Sequence, residues 1–493
     1  CGRRVPAWQI RAGAEMRGNW AIGAGSAAIL CCGTALARVP MPQMGEQDMP
    51  RTLKAALAMA YLTNPVLRQE RATLRATDEQ VPQALGGWRP TITGNANMSY
   101  YSGLMRMSPA AGEPGGYVRS YDSPGYSGGV SISQPIYSGG RTTANTHKAR
   151  HTVMAERARL IAAEQQVFSD VVSAYINVVE DEQILRIDIN NEQVYAAQLH
   201  ATELRAHEGE ITHTDVAQAQ GALANARAVR QLAEGTLQAD CATYRQVVGS
   251  DAPDDLTPPQ PLVLPLHTEQ DAMTQAVQNN PEVIGALFDE ATKKDAVGVA
   301  FAALMPTVNA EAAYSHAINQ EEGRSLSNNK YALVSASMPL YQGGGEYAAV
   351  RMARQQAAEA ARIVDVRRRA AIQLAAASWQ RMQANREAID SNREAVAADA
   401  DALHGMQRQA IVGTTTTLAV LQQQETLLQA QIALVRSAGN LVLSSYQVTA
   451  AIGRLTARDL SLDVPLYDEQ AYYRAVHDRL WGISDYATSQ PGR

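Results

Sequence analysis

The feature that most limits how this chain can fold is a turn that occurs twice. Gln134-Pro135-Ile136-Tyr137-Ser138-Gly139-Gly140 returns as Met338-Pro339-Leu340-Tyr341-Gln342-Gly343-Gly344. Each copy closes a short alternating run and opens a very long alanine-rich run of helical character. Other landmarks recur at matched places. Asn64-Pro65 and Asn280-Pro281 each interrupt a helical run, and Pro90-Thr91 and Pro306-Thr307 each precede a strand, both pairs 216 positions apart. The chain therefore reads as an internal twofold repeat.

The first repeat is expected over residues 50–248, with strands at about 91–101 and 125–136 and long helices at about 140–207 and 214–248. Residues 103–124 hold four Gly and three Pro and read as a loop. A proline-rich linker, 249–268, leads to the second repeat, 269–452. Its strands are expected at about 307–317 and 330–340, its long helices at about 344–411 and 415–451, and a polar loop at 319–329. Residues 453–493 read as a polar C-terminal tail. At a rise of ~1.5 Å per residue the helix at 140–207 extends roughly 100 Å. A heptad fits part of the first: Phe168, Tyr175, Glu182, Ile189 and Ala196 at one position, Val171, Val178, Leu185, Glu192 and Leu199 three residues on. In the last helix Leu418, Leu421, Glu425, Leu428, Ile432, Val435, Gly439, Val442 and Tyr446 follow spacings of three and four.

Near the N-terminus, Met16-Arg17 precedes an apolar run from Trp20 to Leu36 and a small-x-small site at Ala35-Leu36-Ala37. Residues 1–37 are therefore expected to be an upstream segment and signal peptide cleaved near Ala37. Cys1, Cys31 and Cys32 would leave with it, and Cys241 alone cannot form an intrachain disulfide. Beyond the signal no apolar run is long enough for a spanning helix. The net charge of -6 is mild, and no basic patch points to nucleic acid.

An exported chain with four amphipathic strands cannot close a membrane barrel alone, for which about eight strands are the minimum. Open strand edges cannot face lipid either. The strands must be completed by other copies of the chain, with their polar faces lining a wet lumen. A periplasmic coiled-coil scaffold without a pore is the alternative, but it has no use for four alternating strands.

These residues, over about 50–460, resemble the TolC family of outer-membrane channel proteins. The resemblance rests on the repeat, the two Asn-Pro breaks, the Pro-(Ile/Leu)-Tyr-x-Gly-Gly turns and two helix tips, Gly209-Glu210-Ile211-Thr212-His213-Thr214-Asp215-Val216 and Gly413-Thr414-Thr415-Thr416-Thr417-Leu418-Ala419-Val420. It implies a membrane α+β fold: a trimeric twelve-stranded outer-membrane β-barrel, four strands per chain, continued by a periplasmic α-helical coiled-coil barrel. It implies an exit duct for efflux or type I secretion in a Gram-negative outer membrane, not an enzyme. Its partners would be itself as a homotrimer, a periplasmic adaptor (a membrane fusion protein), an inner-membrane pump of RND or ABC type, and outer-membrane lipid. Cofactors, metals and nucleic acid have no part in it.

The resemblance places the periplasmic gate and adaptor-docking tips at 205–216 and 408–422, with Arg205, Gly209, Thr214, Asp215, Arg408, Gly413, Thr415, Ala419 and Gln422. Asp215 matches an aspartate that helps hold the closed state. The second tip departs from the pattern: Thr415 stands where an arginine is usual, and Ala419 and Gln422 where aspartates are usual. A weaker or differently bonded gate is expected, less prone to block by multivalent cations. Pro135, Tyr137, Gly139, Gly140, Pro339, Tyr341, Gly343 and Gly344 form the strand-to-helix junctions, where proline would end the ladder and glycine permits the turn.

Other patterns carry less. Gly125-Tyr126-Ser127-Gly128-Gly129 fits Gly-x-Ser-x-Gly but opens a strand and lacks the elbow that catalysis needs. His147 and His151 are four apart on a helix without an evident third metal ligand. Glu208 and Glu210 flank Gly209 without a matched pair. Arg367-Arg368-Arg369 reads as a solvated or inter-helix face, or else a docking patch. No phosphate-binding loop occurs, so energy must come from a partner.

Overall fold

The computed structural model describes residues 50–107, 116–264, 266–319 and 325–483. The expected signal segment lies outside the described residues, as do the centres of both strand-connecting loops and the last ten residues.

Two short helices open the described chain, α1 (Leu53–Thr63) and α2 (Pro65–Asp78). Asn64 separates them: its Oδ1 accepts the Val66 N–H at 2.9 Å, and Pro65 takes the first helical position, where no N–H is needed. Its Nδ2 donates to the Val247 carbonyl at 3.0 Å. A further break at Glu79 leads into α3 (Gln80–Leu85). β1 (Thr91–Met107) and β2 (Tyr117–Ser138) form a hairpin, followed by α4 (Arg141–His207) and α5 (His213–Val248).

The second half runs α6 (Glu269–Asn279), α7 (Pro281–Phe301), β3 (Thr307–Ile318), β4 (Leu326–Ser337), α8 (Gly345–Ile411) and α9 (Thr417–Ala451). Asn280 reproduces the earlier geometry. Its Oδ1 accepts the Glu282 N–H at 2.9 Å and its Nδ2 donates to the Ala451 carbonyl at 3.2 Å. Each Asn-Pro break is thus fastened to the end of the returning helix of its own half. A short α10 (Ala471–Val476) follows. Among the described residues no helix is long and apolar enough to cross a membrane.

The four strands make one antiparallel sheet in the order β1-β2-β3-β4. The register aligns Ile92 with Ile132, Val130 with Tyr314, and Ala310 with Val334, so these share one face with Met98. Their large side chains are all exposed. The opposite face is polar: Thr93 meets Ser131 at 2.7 Å, and the Tyr331 hydroxyl donates to Glu311 Oε1 at 2.8 Å. Every described residue of β4 is exposed on both faces.

Several sequence expectations need correction here. The strands reach further than 101 and begin before 125, into the stretch expected as a loop. Pro124 sits within β2, opposite Tyr100. Its carbonyl points away from β1, beyond the end of β3, where it accepts from Asn319 Nδ2 at 3.4 Å. Its missing N–H faces that open side, so the ladder loses nothing. β4 begins at Leu326 and stops at Ser337, whereas 330–340 is the expected span. As a lateral strand in this chain it has no partner on its outer side to carry it through Pro339. Nor does Pro135 end the β2 ladder: it pairs with Asn309, Ile136 bulges out, and Tyr137 and Ser138 pair with Val308 and Thr307.

The main apolar core lies where α1 and α2 cross the middle of α4. Leu57, Leu67, Phe168, Val171, Tyr175, Tyr244 and Val248 are all nearly inaccessible there. The linker is held in place, since Leu256 is buried and the Tyr175 hydroxyl lies 2.8 Å from both the Arg51 and Thr257 carbonyls. The expected polar tail begins as part of this core. Leu455, Ala457 and Leu462 are buried in it, and the Ala457 N–H donates to Glu164 Oε1 at 2.6 Å. Single apolar residues spaced among polar ones carry too little periodicity to reveal this from sequence.

The heptad holds at Phe168, Val171, Tyr175 and Val178, then fails: Ile189 is exposed, while Asp188, Asn191 and Tyr195 are buried. The partners change along the helix. Tyr195 packs with Leu223 and Ala226 of α5 and Leu421 of α9. α7 packs on both α4 and α8, whereas α2 and α3 pack on α4 without a corresponding contact to α8. The outer side of α8 is accordingly bare. Ten of its residues are buried against twenty-three in α4, and Met352, Ile363, Val366 and Leu374 remain exposed.

Candidate functional site

Both tips turn in the same way. In the first, the Glu210 N–H returns to the Arg205 carbonyl at 3.0 Å around Gly209, whose φ is 79°. In the second, the Thr414 N–H returns to the Gln409 carbonyl at 2.9 Å around Gly413, whose φ is 78°. This is the left-handed glycine cap that lets a helix stop and reverse. After the turns the two differ. Asp215 Oδ2 accepts the Thr212 N–H at 3.0 Å and the Thr212 hydroxyl at 2.6 Å, fastening the first turn of α5. At the corresponding place α9 has Ala419, so the N-cap Thr416 acts alone, accepting the Ala419 N–H at 3.3 Å.

Hydrogen bonds from Thr212 hold the Asp215 carboxyl below its ordinary 3.8, with a smaller contribution from the Thr417 hydroxyl of the second tip. The two tips of one chain therefore meet at Asp215 and Thr417. Arg205 pairs with Glu210 in its own tip at 3.0 Å, an exposed pair worth under about 1 kcal/mol. Thr214, Arg408 and Gln422 are exposed, Thr415 and Ala419 half-buried, and Arg408 makes no ion pair among the described residues. Thr212→Ala is expected to cost about 1 kcal/mol at the start of α5. Amide exchange at residues 213–216 would speed up, while Arg408→Ala would leave it unchanged. Because the Asp215 value is depressed, its share of the cap is present at neutral pH and fades as pH falls below the carboxylate range.

Sequence reasoning missed what lies behind the tips. The Tyr195 hydroxyl reaches the Leu421 carbonyl at 3.5 Å, and Gln424 Nε2 donates to Asn191 Oδ1 at 3.1 Å. Further along the same α4–α9 seam, the Glu180 carboxylate occupies a notch at Gly439: a Cβ there would lie 1.6 Å from Glu180 Oε1. Burial, then the neighbouring charge of Asp181, pushes Glu180 up to about 7, and Arg436 opposes the shift. Burial and Asp240 push Asp181 up to about 6. The one signal in the sequence was a glycine inside an otherwise leucine-rich stripe.

At the junctions, Gly139 and Gly140 have φ of 65° and 84°, and Gly343 and Gly344 have 71° and 84°. Gly140 and Gly344 are the N-caps of α4 and α8. The surroundings differ: Gly139 is buried against Ala302 and Met305, while Gly343 has open space around it. Pro135 is half-buried and Tyr137 exposed; Pro339 is half-buried and Tyr341 exposed.

The remaining motifs have ordinary places. Ser127 is paired within the sheet with Asn97 and Ala317. His151 Nδ1 lies 2.6 Å from Asp295 Oδ2, whereas His147 points to solvent. No group of three His, Cys, Asp or Glu that could hold a metal occurs among the described residues. Arg367 pairs with Glu282 at 3.0 Å.

A four-stranded sheet apolar on one face and polar on the other, prolonged by two helix hairpins whose longer arms run about 100 Å, is the build of a membrane-channel protein that spans with strands. Residues 56–250 and 272–454 match the family described as outer membrane efflux protein, and the chain belongs to that family. It is 32% identical over 460 residues to the outer membrane efflux protein BepC of Brucella suis, covering 93% of this chain and 96% of that one. It is 22% identical over 429 residues to the outer membrane protein TolC of Escherichia coli, covering 81% and 82% of the two chains. The crystal structure of the outer membrane protein VceC from Vibrio cholerae has the same fold, with a TM-score of 0.68 at 19% identity over 81% of this chain and 96% of that one. The protein is thus an outer-membrane efflux component with a large periplasmic part, an exit duct rather than a soluble scaffold.

Proposed function

We propose that three copies, each built as a duplicated half, close into a twelve-stranded barrel and a continuous helical sleeve. This duct conducts substrates passively from a periplasmic adaptor and an inner-membrane pump, of RND or ABC type, to the exterior, without catalysis. One observation carries the reading: the sheet ends at β1 and at β4, and β4 is exposed on both faces. Unpaired edges cannot face lipid, so β4 of one copy pairs with β1 of the next. The bare side of α8 fits the same arrangement. Within one chain α7 bridges α4 and α8; across copies α2 and α3 would bridge to the neighbouring α8, a head-to-tail contact that closes into a ring. The polar strand faces would then line the lumen, and the tips would form the periplasmic gate, with Asp215, Arg205 and Arg408 facing the adaptor.

Purified protein in detergent is expected to have three times the mass of one chain by light scattering and to give stepwise conductance in planar bilayers. A monomer without conductance would sink the proposal. Thr415, Ala419 and Gln422 provide no ring of carboxylates, so trivalent cations added on the tip side should block weakly. Strong block from that side would overturn this account of the gate.

A further inference from the structure

The C-terminal segment does not stay with the core. After Leu462 it climbs along α2, α3 and α4 towards the start of the sheet. The Tyr472 hydroxyl donates to Glu79 Oε1 at 2.8 Å, the Arg157 guanidinium lies 5.4 Å from the centre of the Tyr473 ring, and Val476 is fully buried. At its far end Arg89 Nη1 donates to the Arg479 carbonyl at 2.9 Å. Arg89 stands two residues before β1, beside Trp88, whose carbonyl is held by Gln134 at the junction. The segment therefore arrives at the rim where sheet gives way to helix.

There it bends. Arg479 Nε donates to the Trp481 carbonyl at 3.1 Å, closing a bend that Gly482 completes at φ 100°. The bend leaves three large apolar side chains in the open: Leu480 at 68%, Trp481 at 86% and Ile483 at 104% exposure. The same rim carries exposed Trp88, Tyr137, Leu340 and Tyr341. Tryptophan and tyrosine collect at the level of lipid headgroups, where an amphipathic ring meets both phases.

We infer that Leu480–Ile483 is a membrane-interface anchor that seats in the inner leaflet of the outer membrane, extending the aromatic rim of the sheet sideways along the lipid. The occupant is the phospholipid surface itself. The inference rests on the reading that the apolar sheet face meets lipid, and its test separates the two. Wild type, Trp88→Phe and Trp481→Phe would be reconstituted into phosphatidylethanolamine–phosphatidylglycerol vesicles, with and without phospholipid brominated high on the acyl chain. Subtracting each variant from wild type isolates the emission of one tryptophan. Bromine is expected to quench the Trp481 component to a degree similar to the Trp88 component. Quenching of Trp88 alone, with Trp481 open to aqueous iodide, overturns the anchor and leaves the barrel reading intact. Trp481 shielded from both quenchers, in vesicles and in detergent alike, also overturns it by assigning the segment to a neighbouring copy. If bromine reaches neither residue and conductance is absent, the barrel reading itself fails.

Discussion

Gly139→Val is expected to abolish assembly, whereas Gly343→Val only weakens it. Both residues have a left-handed backbone, which a β-branched side chain tolerates poorly, at about 1–2 kcal/mol. That strain is common to the two. The difference lies in the surroundings: a Cβ on Gly139 would stand 2.7 Å from the Ala302 carbonyl oxygen and 2.7 Å from Met305 Cβ. Neither can move without shifting the turn that leads into β3. Gly343 has no such neighbours. The total at Gly139 is about 3 kcal/mol or more, once overpacking is added to backbone strain. Light scattering and seminative gels on membrane extracts would read the difference. Equal loss of oligomer at both positions would show that backbone angle alone matters. Normal assembly with altered substrate preference would count against a structural role for either junction.

The second large effect is a dependence of stability on pH centred on Glu180. Its folded-state value, about 7, lies above the ordinary 4.5. Between these values the folded chain binds more protons than the unfolded one, so stability falls as pH rises. The contribution is fully present below about pH 4.5 and is lost as pH passes through 7. Complete burial would make this ~3.4 kcal/mol at 1.36 kcal/mol per unit; residual solvent access reduces it to about 2. Asp181, pushed up to about 6, acts in the same direction through its contact with Asp240. Glu180→Gln is therefore expected to stabilise the protein at pH 8 by about 2 kcal/mol and to change little at pH 5. Urea or thermal unfolding of the detergent-solubilised protein at the two pH values would decide. The same loss on substitution at both would mean that Glu180 serves packing rather than proton binding. The seam joins α4 of the first half to α9 of the second.

Much of this molecule was legible in the chain. The paired turns, the Asn-Pro breaks and the alternation in the strands gave the order of elements, because each depends on local chemistry: a missing N–H, a left-handed glycine, a period of two. The tips were located for the same reason, since a glycine cap and a threonine N-cap are neighbours in sequence. What their side chains hold was not legible. Asp215 serves the start of its own helix and meets Thr417, and Arg205 is paired with Glu210 inside its own tip. The strand ends were misjudged where a proline faced the open side of the sheet, and the C-terminal residues because their apolar positions are too sparse to show a period.

The sequence by itself determined the order of the long helices and strands and the glycine turns between them. Only the tertiary structure decided which surfaces are shared. Glu180 against Gly439, Arg89 against the Arg479 carbonyl, and α7 across α4 and α8 join residues from tens to hundreds of positions apart. Such contacts depend on how two long helices are set against each other, and no local period encodes that.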